Sequence, residues 1–171
     1  MGIFAPIDNE TISVPRLNFP RDRREPSRII YAQYESNAGN TIDNNSMTII
    51  DFEDKVEDTH NIVTTGASWK ATFPRRAYVI ALVGILYVST DTWADGESAR
   101  LWAYKNGSQH RPLDFLDLGS GSAFEKGLFG IWGNVMNPGD YVDFRTIQTS
   151  GAGLALNSAA SANYVVIYGF S

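Results

Sequence analysis

Side chains able to do chemistry are few and scattered along this 171-residue chain. His60 and His110 are its only histidines, and cysteine is absent. Neither histidine stands in a metal-ligand spacing such as H-E-x-x-H, and no thiolate is available to complete a zinc site. The stretch "LGSGSAF" (118–124) has the small residues of a nucleophile elbow or a phosphate loop. It lacks the G-x-S-x-G order of the first and the Gly-Lys-Ser/Thr of the second, so it reads as a loop. In "DTWADGES" (91–98), Asp91, Asp95 and Glu97 lie close enough to offer oxygens to a hard cation. The spacing is not that of an EF-hand, and a solvated turn is the reading preferred. Asp114 and Asp117 are read the same way. Trp93, inside that acidic turn, could instead be an exposed ring that stacks on sugars. The expectation is therefore a chain without catalytic residues, cofactor or bound metal, and not an enzyme.

Charge is the stronger signal. The net charge is −5, yet "VPRLNFPRDRREPSR" (14–28) carries Arg16, Arg21, Arg23, Arg24 and Arg28 against only Asp22 and Glu25, a local +3. Pro6, Pro15, Pro20 and Pro26 remove backbone donors and fix φ, which argues against a helix or a central strand over residues 1–28. An extended arm fits better, with Leu17 and Phe19 as apolar pegs beside Ile3, Phe4 and Ile7. A purely solvated tail, the alternative, would be expected to lack such residues. The arm has no lysine, and guanidinium is the cation suited to partly buried, bidentate pairing with carboxylates. Residues 43–58 hold six acids against Lys55, a local −5. An acidic body repels a phosphate backbone everywhere but at the arm, so nucleic acid is not expected as a partner. Nor is a membrane: no apolar run reaches the roughly 18 residues of a span. "MGIFAPIDNE" shows neither the basic nor the apolar region of a secretory signal.

From residue 29 onward the pattern is β. "RIIYAQY" (28–34) and "MTIIDF" (47–52) are β-rich runs split by the turn-forming "ESNAGNTIDNN". In "ASWKATF" (67–73), Trp69, Ala71 and Phe73 alternate with Lys70 and Thr72, the period of a half-buried strand, and Pro74 stops it. "YVIALVGILYVS" (78–89) is apolar on both faces, which predicts a central strand covered from two sides. "ARLWAYKNG" (99–107) ends in Asn106-Gly107, a pair able to take positive φ in a tight hairpin. "KGLFGIWGNV" (126–135), "GDYVDFRTIQTS" (139–150) and "ANYVVIYGFS" (162–171) supply three more strands, and "GAGLALNSAAS" reads as a loop or a tightly packed strand. The residues between 108 and 127 read as a loop. About eight antiparallel strands and almost no helix signal predict an all-β, antiparallel sandwich or jelly roll over 29–171, preceded by an extended Pro/Arg-rich N-terminal arm over 1–28.

Four motifs in order then resemble the complement globular-head and tumour-necrosis-factor superfamily over roughly 30–171. They are an aromatic strand ending in Pro ("KATFP", 70–74) leading to a Tyr-bounded strand (Tyr78 to Tyr87), "KNG" (105–107), "PGDYV" (138–142), and the terminal "YVVIYGF" (164–170). "PRRAY" stands where the family has a Gly before the first Tyr, and no collagen-like stalk is present. The resemblance implies a ten-strand jelly roll, or a close variant, assembled as a homotrimer. Similar domains occur in capsid decoration (cement) proteins and appendages of tailed bacteriophages, and the arm and the missing cysteines fit that branch.

Four Trp, eight Tyr and nine Phe are more than one sandwich core needs. Trp102, Tyr104, Tyr141, Tyr164 and Tyr168 are candidates for a trimer interface, where large, stiff rings bury much area at small entropic cost. Each taken singly fits an ordinary core position equally well. The reading that follows is a structural virion protein on the outer capsid surface, made in the host cytoplasm, whose partners are itself and the major capsid protein. Its anchoring residues would be Arg16, Leu17, Phe19, Arg21, Arg23, Arg24 and Arg28. A receptor- or glycan-binding head of a tail fibre or spike is the alternative, with Trp93 and the 108–127 loop carrying recognition. A bacterial domain of the same fold is a third.

Overall fold

Trp69, Ala71 and Phe73, expected on one face of a strand, are all fully buried, and the two-residue period they announce recurs in the long strands among the described residues. The computed structural model describes residues 29–88, 93–118, 126–159 and 161–171. The arm, including Arg16, Leu17, Phe19, Arg21, Arg23, Arg24 and Arg28, lies outside them, as do Asp91 and most of "LGSGSAF".

Thirteen strands are present among the described residues. In chain order they are β1 (Ile29–Ser36), β2 (Thr41–Ile42), β3 (Thr48–Ile49), β4 (Asp54–Asp58), β5 (Val63–Thr64), β6 (Lys70–Thr72) and β7 (Ala77–Tyr87). There follow β8 (Glu97–Lys105), β9 (Ser108–Leu118), β10 (Lys126–Met136), β11 (Tyr141–Gln148), β12 (Leu154–Ala155) and β13 (Asn163–Phe170). One large sheet has the order β10-β7-β13-β1-β4; the other has β5-β6-β11-β8-β9, with β3 also on β11; β12 and β2 pair as a separate two-stranded ribbon. All the strand pairs are antiparallel, and the non-consecutive neighbours are the crossovers of a jelly roll.

The core lies between the sheets. Ile30, Val79, Val83, Val165 and Ile167 of the first sheet face Leu101, Val142 and Phe144 of the second, all fully buried. The buried hydroxyl of Tyr87 crosses between the sheets to Thr146 Oγ1 at 2.7 Å, and Thr146 donates onward to the Arg100 carbonyl at 2.9 Å. Burial pushes the Tyr87 phenol up, so it stays a neutral donor. Asp58, buried at the end of β4, accepts from the backbone N–H groups of His60, Ile62 and Val63 and from the Tyr34 hydroxyl. Burial first, then the Asp58 charge, pushes the Tyr34 phenol up to about 12.

Two expectations need correction. The segment read as a loop contains β9, an 11-residue edge strand. Pro112 masked it: proline is tolerated at edges and bulges, and the β8–β9 register shifts beside it, between Leu101 and Trp102. Trp93 is not exposed. It is fully buried, with its ring 5.6 Å from Tyr87 in an edge-on contact, so it is no platform for sugars.

Three motifs of the family resemblance meet at one corner. The Phe73 N–H donates to the Asp140 carbonyl at 2.9 Å, and Gly139 N–H returns a bond to the Phe73 carbonyl at 2.8 Å. Asn106, at φ 51° in the hairpin turn, donates Nδ2 to Asp140 Oδ1 at 2.8 Å and accepts from Tyr141 N at 2.9 Å. Lys105 Nζ lies 3.2 Å from Asp140 Oδ2. The Asn137 backbone N–H, then Asn106 and Lys105, hold the Asp140 carboxyl down at about 2 from an ordinary 3.8. A depressed carboxylate stabilises the fold in full above its unfolded value and loses that contribution as pH falls through its folded value. The melting-temperature deficit of Asp140→Asn relative to wild type is therefore expected to be largest near neutrality and to close between about pH 4 and pH 2. A deficit that stays constant over that window would mean the corner is held by shape alone.

Gly130 faces the core on β10, where a Cβ would meet Leu113 Cβ at 2.5 Å and its Cα at 3.2 Å. This close approach lets β9 fold over the edge of the first sheet. Gly130→Ala is expected to cost about 1–3 kcal/mol by overpacking, measurable by urea denaturation.

Candidate assembly surface

The outward positions of β10, β7 and β13 form an apolar face. Strand register sets its rows: Val135, Tyr78 and Phe170; then Gly133, Ile80 and Tyr168; then Ile131, Leu82 and Val166; then Phe129, Gly84 and Tyr164. None of these positions carries a charge. In a single chain Ile131 is 59% exposed, Tyr78 52% and Phe170 46%. Seven of the nine large hydrophobics exposed among the described residues sit on this sheet's outer side, which makes them one surface rather than scattered exceptions. Three strands spaced by about 4.8 Å and some eight residues long make a face on the order of 400 Å², the size of the largest apolar patch on a typical chain, which is often functional.

Glycine keeps this face smooth. A Cβ on Gly84 would stand 2.7 Å from the Tyr164 ring, so the ring lies down over the strand because that position has no side chain. Gly133 makes the same room for Tyr78, whose hydroxyl would be 3.2 Å from a Cβ. Tyr168 leans on Tyr31 with ring centroids 5.1 Å apart, and the Tyr31 hydroxyl donates to Gln33 Oε1 at 2.7 Å. Polar groups begin only there, at the rim, with Gln33 and Glu35 on β1 and Glu57 on β4.

The five aromatic candidates do not share one surface. Tyr164 and Tyr168 lie on this apolar face. Trp102, Tyr104 and Tyr141 lie on the outer side of the other sheet, at the opposite side of the sandwich. There the rings are capped by cations: Arg145 over Tyr104 at 3.9 Å and Lys70 over Tyr141 at 5.0 Å. Arg145 also pairs with the buried Asp143 at 2.5 Å, a hydrogen bond that raises the guanidinium further. The sequence reading of 78–89 as a strand covered on both sides thus holds for its inner side, whereas within one chain its outer side is open. The residues missed include Tyr78 and Phe170, and also Phe129, Ile131 and Val135, whose alternation with glycine along "KGLFGIWGNV" was the available signal.

No family model and no curated protein matches the sequence. Solved structures do match. Eiger TNF from S. frugiperda aligns over 84% of this chain and 93% of its own at 13% identity, with a TM-score of 0.58. The chain has the tumour-necrosis-factor-like jelly-roll fold. Murine APRIL, in crystals at pH 8.5, aligns over 83% of this chain and 99% of its own at 10% identity, with a TM-score of 0.56. The PRD1 vertex protein P5 superposes only loosely, at a TM-score of 0.46 and 14% identity over 83% of this chain and 95% of its own. Identity this low shows a shared backbone course and nothing about the surfaces. What the jelly roll fixes here is that β10, β7 and β13 lie side by side in one sheet.

Proposed function

We propose that this chain is a structural protein that assembles as a homotrimer through the outer face of β10, β7 and β13, and decorates a bacteriophage capsid. The observation that carries the assembly is that face: three adjacent strands whose outward positions hold Tyr, Phe, Ile, Leu, Val and Gly and no charge. Uncovered, it would leave large rings in water on a protein that is otherwise acidic; covered by two copies of itself, it becomes a core. Residues 1–28 attach the trimer to the major capsid protein, Arg16, Arg21, Arg23, Arg24 and Arg28 pairing with acidic groups while Leu17 and Phe19 fill grooves. The support for the capsid is that domains similar to the superfamily these motifs resemble occur in phage decoration proteins, together with the absence of cysteine and an arm that concentrates +3 on a chain of net −5. The role is mechanical, and no catalysis is assigned.

Light scattering of the purified chain tests the assembly: the expected mass is three times 18.9 kDa, and a single-chain mass at micromolar concentration would remove the interface. Copy number per particle tests the location. Hundreds of copies fit decoration of the capsid, and a few to a few tens fit a receptor-binding head instead.

A further inference from the structure

The opposite side of the sandwich has a different chemistry. On the outer side of the β5-β6-β11-β8-β9 sheet, a shallow cleft of about 240 Å³ is lined by Arg100, Trp102, Pro112, Asp114 and Phe115. A second depression of about 490 Å³, whose polar lining includes Asn40, Thr48, Asp51 and Arg145, opens on the same side. They adjoin in the strand register, since Arg145 of the second pairs with Trp102 of the first on one flank and with Ile49 on the other. Side by side they span β3, β11, β8 and β9 as a trough of two depressions, on the order of 14 Å at the usual strand spacing.

The cations of this side are unusual for so acidic a chain. Arg100 lies over the Phe115 ring at 4.9 Å and Lys70 over the Tyr141 ring at 5.0 Å. Neither is within 4.0 Å of a carboxylate among the described residues. Asp114, the acid inside the cleft, has both oxygens engaged by backbone N–H groups, Phe115 at 2.8 Å and Phe129 at 2.9 Å. It is thereby fixed in place, and part of its charge is already used. The cleft thus offers a guanidinium with free donors above a floor of Trp, Pro and Phe, with an acceptor opposite.

We propose that this trough binds an acidic oligosaccharide through its carboxylate. A pyranose presents C–H bonds on its faces, which suit Trp102, Pro112 and Phe115, and hydroxyls at its rim, which suit Asp114 and Thr48. A sugar carboxylate gives Arg100 the bidentate partner that the chain itself does not supply. A nucleic-acid backbone would need a row of several cations on a protein of net −5. A peptide strand would seek a sheet edge for its main-chain hydrogen bonds, whereas this trough lies on a sheet face.

The site needs one chain only and does not depend on threefold assembly. The test is a panel of sialylated, uronate-containing and neutral oligosaccharides titrated against the full-length protein by calorimetry. At least one carboxylated member is expected to bind, and its methyl ester at least about tenfold more weakly, the effect of losing one charge-assisted hydrogen-bond pair. Arg100→Gln and Trp102→Leu are each expected to weaken it by a similar factor while melting temperature and light-scattering mass stay at wild-type values. Neutral sugars or the methyl ester binding equally well, binding that survives both substitutions, or no carboxylated member binding at millimolar concentration would each overturn the proposal. Tighter binding of oligo-aspartate or of an oligonucleotide would overturn it in favour of that ligand. A chain that proves monomeric yet binds the sugar would sink the trimer and leave this site standing.

Discussion

Tyr168→Asp and Ile131→Asp are each expected to abolish the trimer, and they differ in what they leave behind. Both residues sit on the apolar outer face, Tyr168 on β13 beside Ile80 and Tyr31, Ile131 on β10 beside Leu82. In the assembled protein each would be covered by a neighbour. An aspartate there loses its hydration without gaining a partner, an effective cost of several kcal/mol per ion. Threefold symmetry repeats that cost in every copy and adds repulsion between like charges. The folded single chain is affected differently at the two sites. Ile131 is 59% exposed in it, so an aspartate there remains in water and the change approaches an ordinary surface substitution. Tyr168 is 37% exposed and packs its ring 5.1 Å from Tyr31, so its loss also removes contacts inside the chain. Ile131→Asp should therefore give a folded monomer and Tyr168→Asp a monomer of reduced stability. Sedimentation velocity reads the first outcome and thermal melting the second. An unchanged trimer mass for Ile131→Asp would move the interface to another surface.

The same pair of residues shows what the sequence can and cannot disclose. Alternation along "ANYVVIYGFS" places Tyr164, Val166 and Tyr168 on one side of a strand, and the structure keeps them there. Alternation does not say which sheet the strand joins. Trp102, Tyr104 and Tyr141 obey the same period, yet lie across the sandwich because their strands pair with each other rather than with β13. Long-range pairing decides that, and no local pattern records it. Trp93 failed for a related reason: its neighbours Ala94, Asp95 and Gly96 are exposed as a polar turn should be, while its own ring turns inward to Tyr87. A short polar stretch can still carry one buried anchor. The motifs fared better than the single residues. "KATFP", "KNG" and "PGDYV" are separated in sequence but share the Phe73, Asn106 and Asp140 hydrogen bonds at one corner. Their co-occurrence is thus a record of contact, which is why their order disclosed the fold when each alone was weak.

Deleting residues 1–28 should leave a folded trimer that no longer holds to the capsid. β1 begins at Ile29, and its ladder to β13 runs from the Ile29–Phe170 pair to Ser36–Asn163, none of which the deletion removes. The melting temperature and the light-scattering mass are therefore expected to match the full chain. Attachment is expected to fall far more. Three arms on one rigid body bind as a unit, because the first contact raises the effective concentration of the other two, and such linkage multiplies affinity by about 10²–10⁴ over a single arm. Removing all three removes both the contacts and their coupling. Neutralising Arg21, Arg23 and Arg24 to Gln should reproduce most of the loss if carboxylates are the partners, and the remaining attachment should grow less sensitive to salt, since screened pairs no longer contribute. Attachment that survives the deletion would place the capsid contact on the jelly roll itself. A trimer that dissociates on deletion would make the arm part of the subunit interface, with its arginines facing the acidic 43–58 stretch of a neighbouring copy. Co-sedimentation of each variant with particles stripped of the protein distinguishes these outcomes, because it scores attachment and assembly separately.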